Sequence, residues 1–94
     1  MIQAKKTALV TGAAKRLGRA IALGLAKDGW DIVVHYRSSA TEAHSTAEEI
    51  RQLGRRAIVL DGDLANERTT RELLPRAIAE IGPIGCVVNS ASLF

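Results

Sequence analysis

The stretch TALVTGAAKRLGRAIA, residues 7–22, constrains this chain more than any other. A short apolar run, Ala8, Leu9 and Val10, stops at a glycine turn and gives way to residues of helical period. Leu17, Ile21 and Leu25 recur at i, i+4 and i+8, which predicts an apolar face on a helix over residues 17–27. Strand, glycine turn and helix together offer a phosphate unpaired backbone N–H groups and the positive end of a helix dipole. Gly12 permits the tight turn, and Gly18 lets the first helical turn approach its strand. Lys15 and Arg16 stand inside that turn. A purely structural turn has no use for adjacent cations, whereas a nucleotide phosphate does.

The rest of the chain repeats the alternation. Residues 31–36, DIVVHY, form a continuous β-branched run, as expected of a strand covered on both faces. Residues 57–60 and 84–89 read as a third and a fourth strand, the third buried like the second. Between them the spacing predicts a helix with Ala43, Ala47, Ile50 and Leu53 on one face, stopped by Gly54. A further helix carries Leu73, Leu74, Ala77, Ile78 and Ile81, with Asn66 as its cap. Pro75 falls inside it and is expected to kink or interrupt it, having no N–H to donate. Gly29 suits the left-handed position that ends the first helix. Strands alternating with helices over short connections predict an α/β fold: a doubly wound parallel sheet of four strands, order 3-2-1-4, with three helices.

Composition narrows the function. A chain of 94 residues is one domain at most, and buries only roughly 60–65% of its unfolded surface. With 47% hydrophobic and 24% charged residues it has the balance of a soluble globular domain. It shows neither a signal-peptide core nor a membrane-length apolar run, so a cytoplasmic location is expected. Thirteen Lys and Arg against ten Asp and Glu are scattered, and only Trp30, Tyr36 and Phe94 are aromatic, which argues against nucleic acid as a partner. The lone Cys86 reads as a buried inert thiol. His35 lies in a strand and His44 on a polar helix face, without ligand or triad spacing. Both read as structural, and neither a metal site nor a catalytic histidine is expected.

Thr11-Gly12, five residues and then Gly18 resemble the T-G-x-x-x-G-x-G fingerprint of the short-chain dehydrogenases/reductases, with Arg16 in place of the middle glycine. The whole string TGAAKRLG is similar to the pteridine reductase branch, where that Arg helps hold the cofactor phosphates. The resemblance implies a Rossmann-type, NADP(H)-binding domain, partial in residues 1–94. It assigns Gly12, Lys15, Arg16, Leu17 and Gly18 to the cofactor. The place where NAD-binding members carry a ribose-binding acid falls on Tyr36, followed by Arg37 and Ser38. Without a carboxylate there, Arg37 and Ser38 suit a 2′-phosphate, and Arg16 is expected to approach from the facing turn. Asp63 and Leu64 match the residues that meet the adenine. Asn89, Ser90 and Ala91 match the N-N-A-G run after strand four, with Ser90 for the second Asn. Ser92 and Phe94 fall where pteridine reductases carry a serine and an aromatic against the pterin.

The family's catalytic Tyr-x-x-x-Lys pair has no match here. The only tyrosine is Tyr36, and the residue four on is Ala40. These 94 residues are therefore expected to be the coenzyme part of an NADPH-dependent reductase of small carbonyl or pterin-like molecules, inactive alone. A non-catalytic nucleotide-binding fragment or degenerate module is the alternative, and a reading frame continuing past Phe94 into Tyr-x-x-x-Lys would exclude it. The outer edge of the fourth strand would lack a neighbour, so self-association is expected.

Overall fold

The computed structural model describes residues 6–91. The elements follow in the order β1 (Thr7–Thr11), α1 (Arg16–Lys27), β2 (Asp31–Tyr36), α2 (Ala40–Gln52), β3 (Ala57–Asp61), α3 (Glu67–Ile81) and β4 (Cys86–Asn89). The four strands form one parallel sheet of order β3-β2-β1-β4. This is the expected doubly wound arrangement.

Side-chain alternation along the strands divides the core in two. Ala8, Val10, Ile32, Val34 and Ala57 face one side, with Ala22 and Ala26 of α1 and Ala43, Ala47 and Ile50 of α2. Leu9, Val33 and Leu60 face the other, with Leu73, Ala77 and Ile81 of α3. Two covered faces explain why β1 is buried along its whole length and β2 throughout Ile32–His35, with apolar residues side by side rather than alternating. The edge strands fare differently from expectation. On β3 Ile58 and Val59 are only partly buried, and on β4 Val87 is 54% exposed, because each strand has a single neighbour in the sheet.

The apolar stripe of α1 is rotated by one residue from the expected one. Gly18, Ala22 and Ala26 are buried, Ile21 and Leu25 flank the core, and Leu17 is 68% exposed. Small residues must face the sheet here, since α1 starts hard against the β1 turn. On α2 the buried face is Ala43, Thr46, Ala47 and Ile50, while Leu53 ends the helix exposed. Helix α3 starts where expected, with Asn66 Oδ1 accepting from the Thr69 N–H at 3.1 Å. It then runs unbroken through Pro75. Pro75 and Arg71, whose carbonyl loses its partner, are both exposed, so water can satisfy that carbonyl. Burial of Leu73 and Ile81 on the opposite face, at about 1.5–3 kcal/mol each, offsets the proline cost of about 3 kcal/mol.

Parallel strands bring all carboxyl ends to one edge, where Thr11 is in register with Asn89 and Tyr36 with Asp61. Among the described residues no helix is long and apolar enough to cross a membrane.

Candidate coenzyme site

The site is built around the turn that leaves β1. Gly12 has φ +62°, a left-handed value, and a Cβ there would lie 3.0 Å from the Ala91 Cα. Gly18 is tighter still: a Cβ would collide with the Gly12 carbonyl oxygen and sit 2.8 Å from Ser90 Oγ. Two glycines thus let the turn, the first turn of α1 and the loop after β4 touch through their backbones. Arg16 also has a left-handed backbone, φ +53°. It stands where the fingerprint has a glycine, and keeping a side chain there costs about 1–2 kcal/mol.

Four polar side chains, those of Thr11, Ser90, His35 and Thr46, fix the turn. The Thr11 hydroxyl donates to Asn89 Oδ1 at 2.9 Å and accepts from the N–H groups of Ser90 and Ala91 at 3.0 and 3.2 Å. The Ser90 hydroxyl returns a bond to the Thr11 carbonyl. His35, 1% exposed, accepts from the Gly12 N–H at Nδ1, 3.1 Å away, and its Nε2 lies 2.8 Å from the Gly62 carbonyl. Buried Thr46 of α2 accepts from Arg19 at 2.9 Å, with its hydroxyl 3.3 Å from the Ala14 carbonyl. His35, expected to be structural, thus ties the glycine turn in place, and Thr11 and Thr46, not among the expected cofactor contacts, join it. Adjacency to Gly12 was the available signal for Thr11; nothing local marks Thr46.

A hollow of ≈ 180 Å³ opens over this turn, and Gly12, Lys15, Tyr36, Arg37, Ser38 and Ala91 line it. Six of the residues chosen from sequence therefore meet in one place. Arg16 does not join them. Its left-handed backbone turns the chain into α1, and its side chain lines an adjoining hollow with Arg19, Thr41 and Ser45. Lys15, which lines both, is the cation that shares the first hollow with Arg37. Lys15 pairs with Glu42 at 3.5 Å and Arg37 with Asp63 at 3.6 Å. Arg16 has no ion-pair partner among the described residues.

Leu64 and Asn89 border a different groove, on the α3 side of the sheet, with Leu9, Leu73 and Val87. Leu17 is exposed at the start of α1. Ser92 and Phe94 lie outside the described residues. No cluster of three His, Cys, Asp or Glu suited to a metal occurs among the described residues.

Known proteins share this architecture. The family model described as short chain dehydrogenase matches residues 6–94. The L-rhamnose 1-dehydrogenase (NAD(P)(+)) of Sphingomonas sp. is 39% identical over 88 residues, covering 94% of this chain and 35% of that protein. The crystal structure of FolM alternative dihydrofolate reductase 1 from Brucella suis in complex with NADP superposes with a TM-score of 0.87 at 39% identity, covering 95% of this chain and 37% of that one. A blue fluorescent protein from a metagenomic library, in complex with NADPH, gives a TM-score of 0.89 at 37% identity, covering 95% and 37%. The chain thus spans about a third of the length of the relatives it matches. Fold, fingerprint and family match agree: the chain belongs to the short-chain dehydrogenase family.

Proposed function

We propose that residues 1–94 are part of an NADP(H)-binding domain of Rossmann type, from an oxidoreductase of pteridine-reductase type acting on a small carbonyl or pterin-like molecule. The observation that carries this reading is the meeting of Lys15 and Arg37 in one hollow at the end of β2, where Tyr36 stands in place of an acid. An acid there would accept from the ribose hydroxyl of NAD and repel a 2′-phosphate. Two cations beside Ser38 invite that phosphate instead.

The residues present fit the coenzyme. Gly12 and Gly18 let the turn, the first turn of α1 and the loop after β4 pack backbone to backbone, and the start of α1 offers a pyrophosphate its positive dipole end. Glu42 and Asp63 occupy the two cations, but both pairs are exposed. An exposed ion pair stabilises by about 0–1 kcal/mol, and a charge-assisted bond to phosphate by about 1.5–3 kcal/mol, so the exchange favours the ligand. Release of Asp63 from Arg37 frees its carboxylate for the adenine amino group, with Leu64 beside it. Ala91 lines the hollow, and the bonds of Asn89, Ser90 and Ala91 to Thr11 hold it in place.

NADPH supplies a hydride when bound, and the acceptor is a carbonyl or imine-like ring bond. These residues bind and orient the coenzyme, and Ser92 and Phe94 are carried over as substrate contacts from the resemblance alone. The likeness to a dihydrofolate reductase supports a pterin-like substrate. Fluorescence titration of the protein with NADPH and NADH tests the reading. NADPH is expected to bind at least about tenfold tighter, and equal affinities would defeat it. With no Tyr-x-x-x-Lys in the 94 residues, NADPH consumption with pterins or ketones is expected to be nil.

A further inference from the structure

We propose that His35 is the positioning residue that holds the glycine turn to the end of β3, and that the turn receives coenzyme phosphate more tightly while this imidazole is neutral. The proposal rests on the coenzyme reading above and names a residue outside the expected ligand contacts. Its tautomer follows from its partners. The Gly12 N–H can only donate, so Nδ1 must accept; the Gly62 carbonyl can only accept, so Nε2 must carry the hydrogen. The ring therefore spans from the β1 turn to the end of β3. The backbone of the same residue helps, its carbonyl accepting from the Ala13 N–H at 2.9 Å.

Protonation would put a second N–H at Nδ1, facing the Gly12 N–H across 3.1 Å. Two donors cannot share that space, and His35, 1% exposed, is nearly closed to solvent that could take up the extra hydrogen. Gly12 must then move, and with it the backbone contacts to Gly18 and Ala91 that leave the turn open to a ligand. Several charges act on the ring. Burial lowers its pKa below the ordinary 6.5, chiefly by desolvation, and Arg76 of α3 adds to this. The bond to Gly62 and the carboxylate of Asp61 on β3 oppose it. Lys15 of the turn and Arg37 after β2 line the same hollow, while Asp63 pairs with Arg37. An imidazolium would also attract a phosphate, so the sign of the pH effect decides between attraction and displacement of the turn.

Calorimetric titration with NADP⁺ at about pH 7.5 and about pH 5, on the wild-type protein and on His35→Asn, tests this. The Asn amide oxygen can accept from Gly12 and does not titrate. Protonation of the coenzyme's own 2′-phosphate affects both proteins equally, so the ratio isolates His35. Wild type is expected to lose about fivefold more affinity than the variant between the two pH values, the equivalent of one hydrogen bond. A parallel loss, or tighter wild-type binding at low pH, overturns the role of His35 and leaves the coenzyme reading intact. Absence of NADP⁺ binding at the higher pH overturns both. Should His35→Asn not fold, nitrogen NMR of the wild type decides. Ring shifts of the Nε2–H tautomer, and a Gly12 amide that titrates with the same midpoint as NADP⁺ affinity, are expected. Any other tautomer or an invariant Gly12 amide refutes it.

Discussion

Replacing Arg37 with Asp reverses the charge at the end of β2 and should reverse the choice of coenzyme. The Arg37 side chain is 71% exposed, so its bond to a 2′-phosphate belongs at the lower end of the charge-assisted range, about 1.5 kcal/mol. The new carboxylate would face the phosphate at about 4 Å, adding about 1 kcal/mol of repulsion in water-like surroundings. Losing the exposed pair with Asp63 matters little, at about 0–1 kcal/mol, and does so for both coenzymes. The sum, about 2.5 kcal/mol against NADPH, is between tenfold and a hundredfold in affinity. NADH should hold or gain, because the introduced carboxylate can accept from its ribose hydroxyl. Equilibrium titration of both proteins with both coenzymes, at about 0.1 M salt to limit screening differences, measures the ratio directly. An unchanged NADPH/NADH ratio, or an equal loss of both, would show that Arg37 does not meet the 2′-phosphate.

The two cations of the turn should separate in the same assay: Lys15→Ala is expected to weaken NADPH by about tenfold with NADH little changed, and Arg16→Ala to change the ratio less. Gly18→Ala drives a Cβ into a backbone oxygen that no rotamer change can move, so thermal unfolding should show a loss of at least about 1–3 kcal/mol. Stability should also fall with acid. His35 titrates below its ordinary 6.5 in the fold, so the unfolded chain takes up its proton first, and unfolding free energy should drop as pH falls below about 6.5 and level off once the folded group is protonated. A melting temperature flat through that range would show that His35 is not held neutral.

The strand–helix alternation and sheet order were legible in the sequence because covered strands are apolar without a break and the connections are short. Rotation of α1 was not. Leu17, Ile21 and Leu25 make the better hydrophobic stripe, yet Gly18, Ala22 and Ala26 face the sheet. A contact between backbones, Gly18 against the Gly12 carbonyl, outweighs the apolar gain, and no periodicity records it. At the site, the glycine turn with its cations and the family resemblance pointed to Gly12, Lys15, Arg37 and Ser38, and the parallel strand ends bring these four to one hollow. The sequence could not separate Lys15 from Arg16: both line the hollow beside α2, but only Lys15 also reaches the one lined by Arg37, and the left-handed backbone at Arg16 leaves no mark in a pattern of residue types. Nor does one sequence show that a strand histidine bonds a glycine 23 residues earlier.

If the hollow at the ends of β1 and β2 takes the phosphate-bearing end of NADP(H), its backbone amides must sense the 2′-phosphate. Amide NMR of the ¹⁵N-labelled protein, titrated in turn with NADP⁺ and NAD⁺, reads this residue by residue. NADP⁺ is expected to shift Gly12, Lys15, Arg37, Ser38 and Asp63, while NAD⁺ at equal concentration leaves Arg37 and Ser38 nearly still. Identical shift patterns for the two coenzymes, or shifts confined to residues away from this hollow, would contradict the assignment.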